Sequence, residues 1–181
     1  MDVTYLLGYN VTSFQRDGSQ SMMMRPLWLP ALAFSLALPA AAVGATHDEV
    51  PRAMTLGGRP VGSGSLHGAP AIVLLWRSDC GPCLVELNGW SELQNAAQGG
   101  RLTALALEAH DSTEVATLAR GYPRSAVWTS DEAPSAVLTR LGGAPPRLPL
   151  AVALKPDGHV CAVHHGILGT DRARKWIQQC S

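Results

Sequence analysis

The chain has 181 residues, enough for one domain plus an extension, and its 14 basic and 14 acidic side chains give a formal net charge of zero. It contains no Lys/Arg block of the kind that tracks phosphates, which argues against a nucleic-acid partner, and no internal repeat of fixed period. Four cysteines are too few for a disulfide-dense scaffold but suit one catalytic pair and one structural pair.

Residues 1–21 lack pattern, and the cluster Met22, Met23, Met24 suggests that the true start lies there. Arg25 supplies one positive charge. An apolar run follows over 27–38, then the small residues Pro39, Ala40, Ala41, Ala42, Val43, Gly44 and Ala45. This is the layout of a secretory signal, with cleavage expected after Ala45 or Ala42. The competing reading is a retained anchor, since 27–43 approaches the lower length limit for crossing a bilayer. Residues 1–45 are therefore a signal peptide or membrane anchor, and 46–181 form the domain. Both readings put that domain outside the cytoplasm, in the periplasm, free or tethered to the inner membrane, where disulfides persist.

Within 46–181, apolar runs alternate with helical patterns, which predicts an α/β fold. Segments 54–56 and 59–61 flank Gly57-Gly58, a hairpin turn. Residues 71–76 (Ala-Ile-Val-Leu-Leu-Trp) form a continuous apolar run, as expected of a central strand buried on both faces. Residues 83–97 follow as one helix, with Leu84, Leu87, Trp90 and Leu93 at helical spacing. A second buried strand is expected at 102–107, then a helix over 112–120 capped by Ser112 or Thr113. A short strand at 126–129 precedes a helix at 133–141 closed by Gly142-Gly143. Strands at 150–154 and 159–164 are joined by the turn Lys155-Pro156-Asp157-Gly158. A last helix, 171–179, takes Thr170 or Asp171 as its cap.

The chemistry lies in Cys80-Gly81-Pro82-Cys83, placed after a buried strand and opening a helix. A cysteine at a helix N-terminus sees unpaired N–H groups and the positive end of the dipole. Both favour the thiolate, which is the nucleophile. Cys83 lies on the same helical face and can attack a mixed disulfide formed by Cys80. Pro82 falls in the first turn, where its missing N–H costs little. A zinc half-site would need two further clustered ligands, but Cys161 and Cys180 are isolated and His164-His165 lacks metal-motif spacing. No metal and no cofactor is expected. His164 and His165 straddle both faces of a strand and receive no role.

Cys161 and Cys180 are expected to form the structural pair. The strand from Cys161 covers roughly 3.3 Å per residue over about five residues. The terminal helix returns at roughly 1.5 Å per residue over about ten. The two paths are nearly equal, so the helix end comes back to the strand start. The alternative is two unrelated cysteines, one buried and one a free thiol.

The segment Trp76-Arg77-Ser78-Asp79-Cys80-Gly81-Pro82-Cys83 resembles the active-site segment of thioredoxins. The longer frame resembles the exported TlpA/ResA-like branch. Its marks are the hairpin Met54-Thr55-Leu56-Gly57-Gly58-Arg59-Pro60-Val61, the lead Leu66-His67-Gly68-Ala69-Pro70, Arg147-Leu148-Pro149 and the turn Lys155-Pro156-Asp157-Gly158-His159-Val160. The resemblance implies a thioredoxin-like three-layer α/β/α sandwich, with a central mixed sheet and an N-terminal β-hairpin. It implies a thiol–disulfide oxidoreductase acting on protein disulfide or dithiol clients, such as apocytochromes or copper-site proteins, and recharged by a membrane electron donor. It places a cis-proline at Pro149, with the Leu148 backbone and Trp76 on the client-binding side; the alternative for Pro149 is a trans proline at a strand start, and for Trp76, as for Trp90 and Trp128, a core or rim aromatic. It also places Glu86 near the active site, to move the Cys83 proton, against the alternative of a solvated helix glutamate.

Four departures stand out. Asp79 precedes Cys80 where thioredoxins carry Trp, and its charge opposes a thiolate unless Arg77 offsets it. Leu74 replaces a buried acid, Asn88 the helix-kinking proline, and Leu84 a basic residue. The other function classes are a peroxide-reducing enzyme on this fold, which needs a different cysteine motif with Thr and Arg, and a binding or metallochaperone module.

Overall fold

The computed structural model describes residues 50–181; the signal or anchor segment lies outside them. Their seven strands are β1 (Ala53–Thr55), β2 (Pro60–Val61), β3 (Ala71–Trp76), β4 (Arg101–Ala106), β5 (Val127–Thr129), β6 (Leu150–Leu154) and β7 (Val160–His165). The helices are α1 (Gly81–Asn88), α2 (Trp90–Ala96), α3 (Thr113–Leu118), α4 (Pro134–Gly142) and α5 (Thr170–Gln179). The strands form one mixed sheet in the order β2-β1-β5-β4-β3-β6-β7. β3, β4 and β5 run parallel, while β6 is antiparallel to β3 and β7 to β6.

The central strand explains the layering. All six residues of β3 are buried, and alternate side chains leave a strand on opposite faces. Ile72, Leu74 and Trp76 join one core with residues of α1, α2, α3 and α5. Ala71, Val73 and Leu75 join another with α4 and the N-terminal hairpin. Helices thus cover both faces, giving the expected three-layer α/β/α sandwich with a mixed sheet.

The hairpin forms around Gly57-Gly58 as expected, with Ala53 opposite Val61, and Gly58 has the positive φ of 79° that a side chain resists. A 3-10 turn at Ser63–Leu66, which carries no strong periodic signal, buries Leu66 under the second core.

Two expectations change. The helix expected over 83–97 is two helices, split at Gly89. There the backbone stands at φ −87° and ψ 20°, and the Gly89 N–H turns to the carbonyl of Glu86, three residues back. Glycine is about 1 kcal/mol worse than alanine inside a helix, so the chain bends there at small cost. Apolar spacing continues across the break, which is why the pattern reads as one helix. The second change is at α5. Gly169 is its N-cap and no side chain caps it, so neither Thr170 nor Asp171 fills that role.

Candidate active site

The C-terminal end of β3 delivers the chain into a turn in which the Cys80 N–H bonds the Arg77 carbonyl at 3.2 Å. Cys80 is then the N-cap of α1, and its Sγ accepts the Cys83 N–H at 3.3 Å. β3 ends at Trp76, and Pro82 supplies a φ suited to a first turn, so a helix begins here. The two sulfurs are bonded, with 5.2 Å between Cα atoms. Cys80 is half-buried beside exposed Gly81 and Pro82, whereas Cys83 is 1% exposed. Cys80 is therefore the more accessible of the two, at the positive end of the α1 dipole.

The direction of Arg77 is now visible. Its Nε and Nη2 donate to the two oxygens of Asp79 at 2.9 and 3.1 Å. This fork holds the Asp79 carboxyl below the usual range, so the residue beside Cys80 stays ionised but paired. The turn is anchored from behind by Glu108, just past β4. One carboxylate oxygen accepts the Ser78 N–H; the other accepts the hydroxyls of Ser78 at 3.0 Å and Ser112 at 3.3 Å. Sequence reasoning missed Glu108. An acid directly after a buried strand that neighbours the strand carrying the cysteines was the available signal.

Glu86 is buried, at 6% exposure, so the solvated-glutamate alternative does not hold. Its Oε1 accepts the Leu168 N–H at 2.5 Å. Burial pushes its carboxyl above the ordinary value, and the N–H groups of Leu168 and Gly169 pull partly back. Glu86 thus holds the two residues that lead into α5. Leu74 is 2% exposed in the core.

Trp76 is corrected: it is 1% exposed, packed in the same core as Cys83, and its indole Nε1 has no hydrogen-bond partner. As an even-numbered residue of β3 it points under α1, so it is a core aromatic and presents nothing to a client. Trp90 and Trp128 are buried too. The Leu148-Pro149 peptide is cis, as is Ala144-Pro145. Pro149 is buried, while Leu148 is half-buried and packs against the core that holds Cys83.

Cys161 and Cys180 are joined, with Cα atoms 5.9 Å apart. Cys161 stands near the start of β7, level with Ala71 of β3 through the β6 register. Cys80 follows the other end of β3. The two disulfides therefore occupy opposite ends of the sheet, and Cys161–Cys180 is remote from Cys80–Cys83. Among the described residues no group of three or more His, Cys, Asp or Glu is placed to hold a metal ion, and no helix is long and apolar enough to cross a membrane.

No family model matches the chain, and no curated protein matches it. Solved structures do. A thioredoxin-related protein from Neisseria meningitidis serogroup B is 22% identical, with a TM-score of 0.57 over 70% of this chain and 96% of its own. A secreted disulfide oxidoreductase from Mycobacterium tuberculosis is 20% identical, with a TM-score of 0.54 over 74% and 96%. The thioredoxin domain of a thiol-disulfide oxidoreductase from Bacteroides vulgatus is 16% identical, with a TM-score of 0.57 over 76% and 99%. The fold of this chain is thioredoxin-like.

Proposed function

We propose that this thioredoxin-like chain is an extracytoplasmic thiol–disulfide oxidoreductase that reduces disulfides of client proteins through Cys80 and Cys83. The observation that carries the reading is the pairing of a half-buried Cys80 at the N-cap of α1 with a fully buried Cys83 one turn on. In the reduced enzyme the Cys80 thiolate attacks one sulfur of a client disulfide. A mixed disulfide forms, and the other client sulfur leaves as a thiolate. Cys83, as its thiolate, then attacks the Cys80 sulfur, so that Cys80–Cys83 forms and the client departs with both sulfurs reduced. Two electrons pass to the client and must be restored by a donor, which for an exported protein is a membrane dithiol protein. Glu86, three residues after Cys83 on one helix, takes up the Cys83 proton in the resolving step. The Leu148 and Pro149 segment provides backbone for client pairing.

Export rests on the apolar segment before residue 45, cleaved or retained as a tether, and on the Mycobacterium tuberculosis neighbour being secreted. Clients in cytochrome c or copper-site maturation follow from the resemblance of the motifs. The test is turnover: the reduced protein should cleave the interchain disulfides of insulin with dithiothreitol as donor. A peroxide-reducing enzyme would instead consume peroxide, and a binding or metallochaperone module would turn over neither. Absence of disulfide turnover would overturn the proposal.

A further inference from the structure

Asp79 is an awkward neighbour for a nucleophilic thiolate, since a carboxylate one residue away repels the developing charge. The turn that carries both residues is closed, with the Cys80 N–H on the Arg77 carbonyl, so Asp79 cannot simply swing away with its backbone. Arg77 meets it with both prongs of its guanidinium. Behind them Glu108 grips Ser78 through its N–H and hydroxyl, which fixes the residue between the two partners. The geometry points to Arg77 as a positioning residue that keeps Cys80 acidic by neutralising Asp79, a role that rests on the oxidoreductase reading given above.

The charges around this end of the sheet make the role specific. Asp79 belongs to the turn itself, Glu108 follows β4, Glu114 lies on α3 beside Asp79 in the same surface hollow, and Glu86 is buried in α1. Arg147, exposed, precedes Leu148 in the segment before β6. Arg77 is the cation that the turn itself supplies: it is bonded to Asp79 and lines a hollow with Glu108, Glu114, Asp131 and Glu132. Removing it leaves the field at Cys80 negative. Removing Asp79 instead frees the guanidinium of the carboxylate it is bonded to, which favours the thiolate. Removing both restores the balance. Loss of the turn's shape would move both single variants the same way, so the sign of each shift separates charge from structure.

The experiment follows Cys80 alone, in the full chain carrying Cys83→Ser, by the pH dependence of its iodoacetamide alkylation mapped by peptide mass. Arg77→Gln should raise the midpoint by about half to one pH unit, because the pair is exposed and partly screened; alkylation below the midpoint then slows about three- to tenfold. Asp79→Asn should lower the midpoint, Arg77→Lys should stay near the parent, and Arg77→Gln with Asp79→Asn should return close to it. In about 1 M salt, where the screening length falls to roughly 3 Å, the single-variant shifts should shrink. Equal shifts in Arg77→Gln and the double variant would overturn the inference, as would an unmoved Asp79→Asn, which also serves if Arg77→Gln does not fold. Alkylation needs no client, so this outcome is independent of insulin turnover, whose absence in the unsubstituted protein would instead overturn the oxidoreductase reading.

Discussion

The Glu86 carboxylate on α1 accepts the backbone N–H of Leu168, 82 residues further along the chain. This contact ties the helix of Cys83 to the start of α5, and Cys161–Cys180 fastens the other end of α5 to β7. One helix is thus held at both ends, by a buried carboxylate on the helix of Cys83 and by a disulfide far from it.

Glu86 makes stability depend on pH in a stated direction. Its folded-state value is raised by burial, so the folded protein holds the proton to higher pH than the unfolded chain does. The resulting stability is present below the unfolded value and is lost as pH rises through the raised one. Glu86→Gln removes that titration. Thermal melts from about pH 4 to about pH 8 should show the variant gaining on the parent as pH rises; a constant offset would contradict it. Insulin turnover by the same variant should slow near neutral pH, and an unchanged pH–rate profile would leave Glu86 with a structural role alone.

The unequal exposure of the two active-site sulfurs predicts unequal trapping. Cys83→Ser should accumulate mixed disulfides with clients through Cys80, because the resolving sulfur is gone. Cys80→Ser should accumulate few, because Cys83 is buried. Non-reducing gels of each variant after exposure to an oxidised client decide this, and equal trapping would refute the order of attack.

Replacing both Cys161 and Cys180 by Ser should lower stability without abolishing turnover. The bridge spans a sequence separation of 19, and closing a loop of this size stabilises by about 3 kcal/mol in the chain-entropy estimate. Urea unfolding of the oxidised parent and the double variant measures the difference directly. Turnover that falls in step with the loss of Cys80 would contradict the remote position of this pair.

Glu108→Ala should loosen the turn before Cys80. It deletes the acceptor for the Ser78 N–H and for two hydroxyls, and stranding a partly buried N–H costs about 1–3 kcal/mol. Denaturant midpoints should fall accordingly. Amide exchange at Ser78 should quicken, while Val115, whose N–H stays on the Ser112 hydroxyl, should change less.

Much of this protein is legible along the chain because its signals are local. The run 71–76 coincides with β3 and Leu150–Leu154 with β6, since a strand buried on both faces must be apolar at every position. Cys80 opening a helix, Ser112 capping α3 and the turn before β7 likewise depend on a few adjacent residues. The pairing of Cys161 with Cys180 could be reached because strand and helix rises are constants. Tertiary structure decided what depends on side-chain direction and on partners distant in sequence. Whether Arg77 faces Asp79, whether Glu86 is solvated or buried on Leu168, whether Trp76 meets a client or the core, and that Glu108 holds Ser78 are set by packing between segments 30 or more residues apart in two of these cases. Periodicity assigns a residue to a face, but the neighbour waiting on that face is supplied by another element, and only the assembled sheet brings it there.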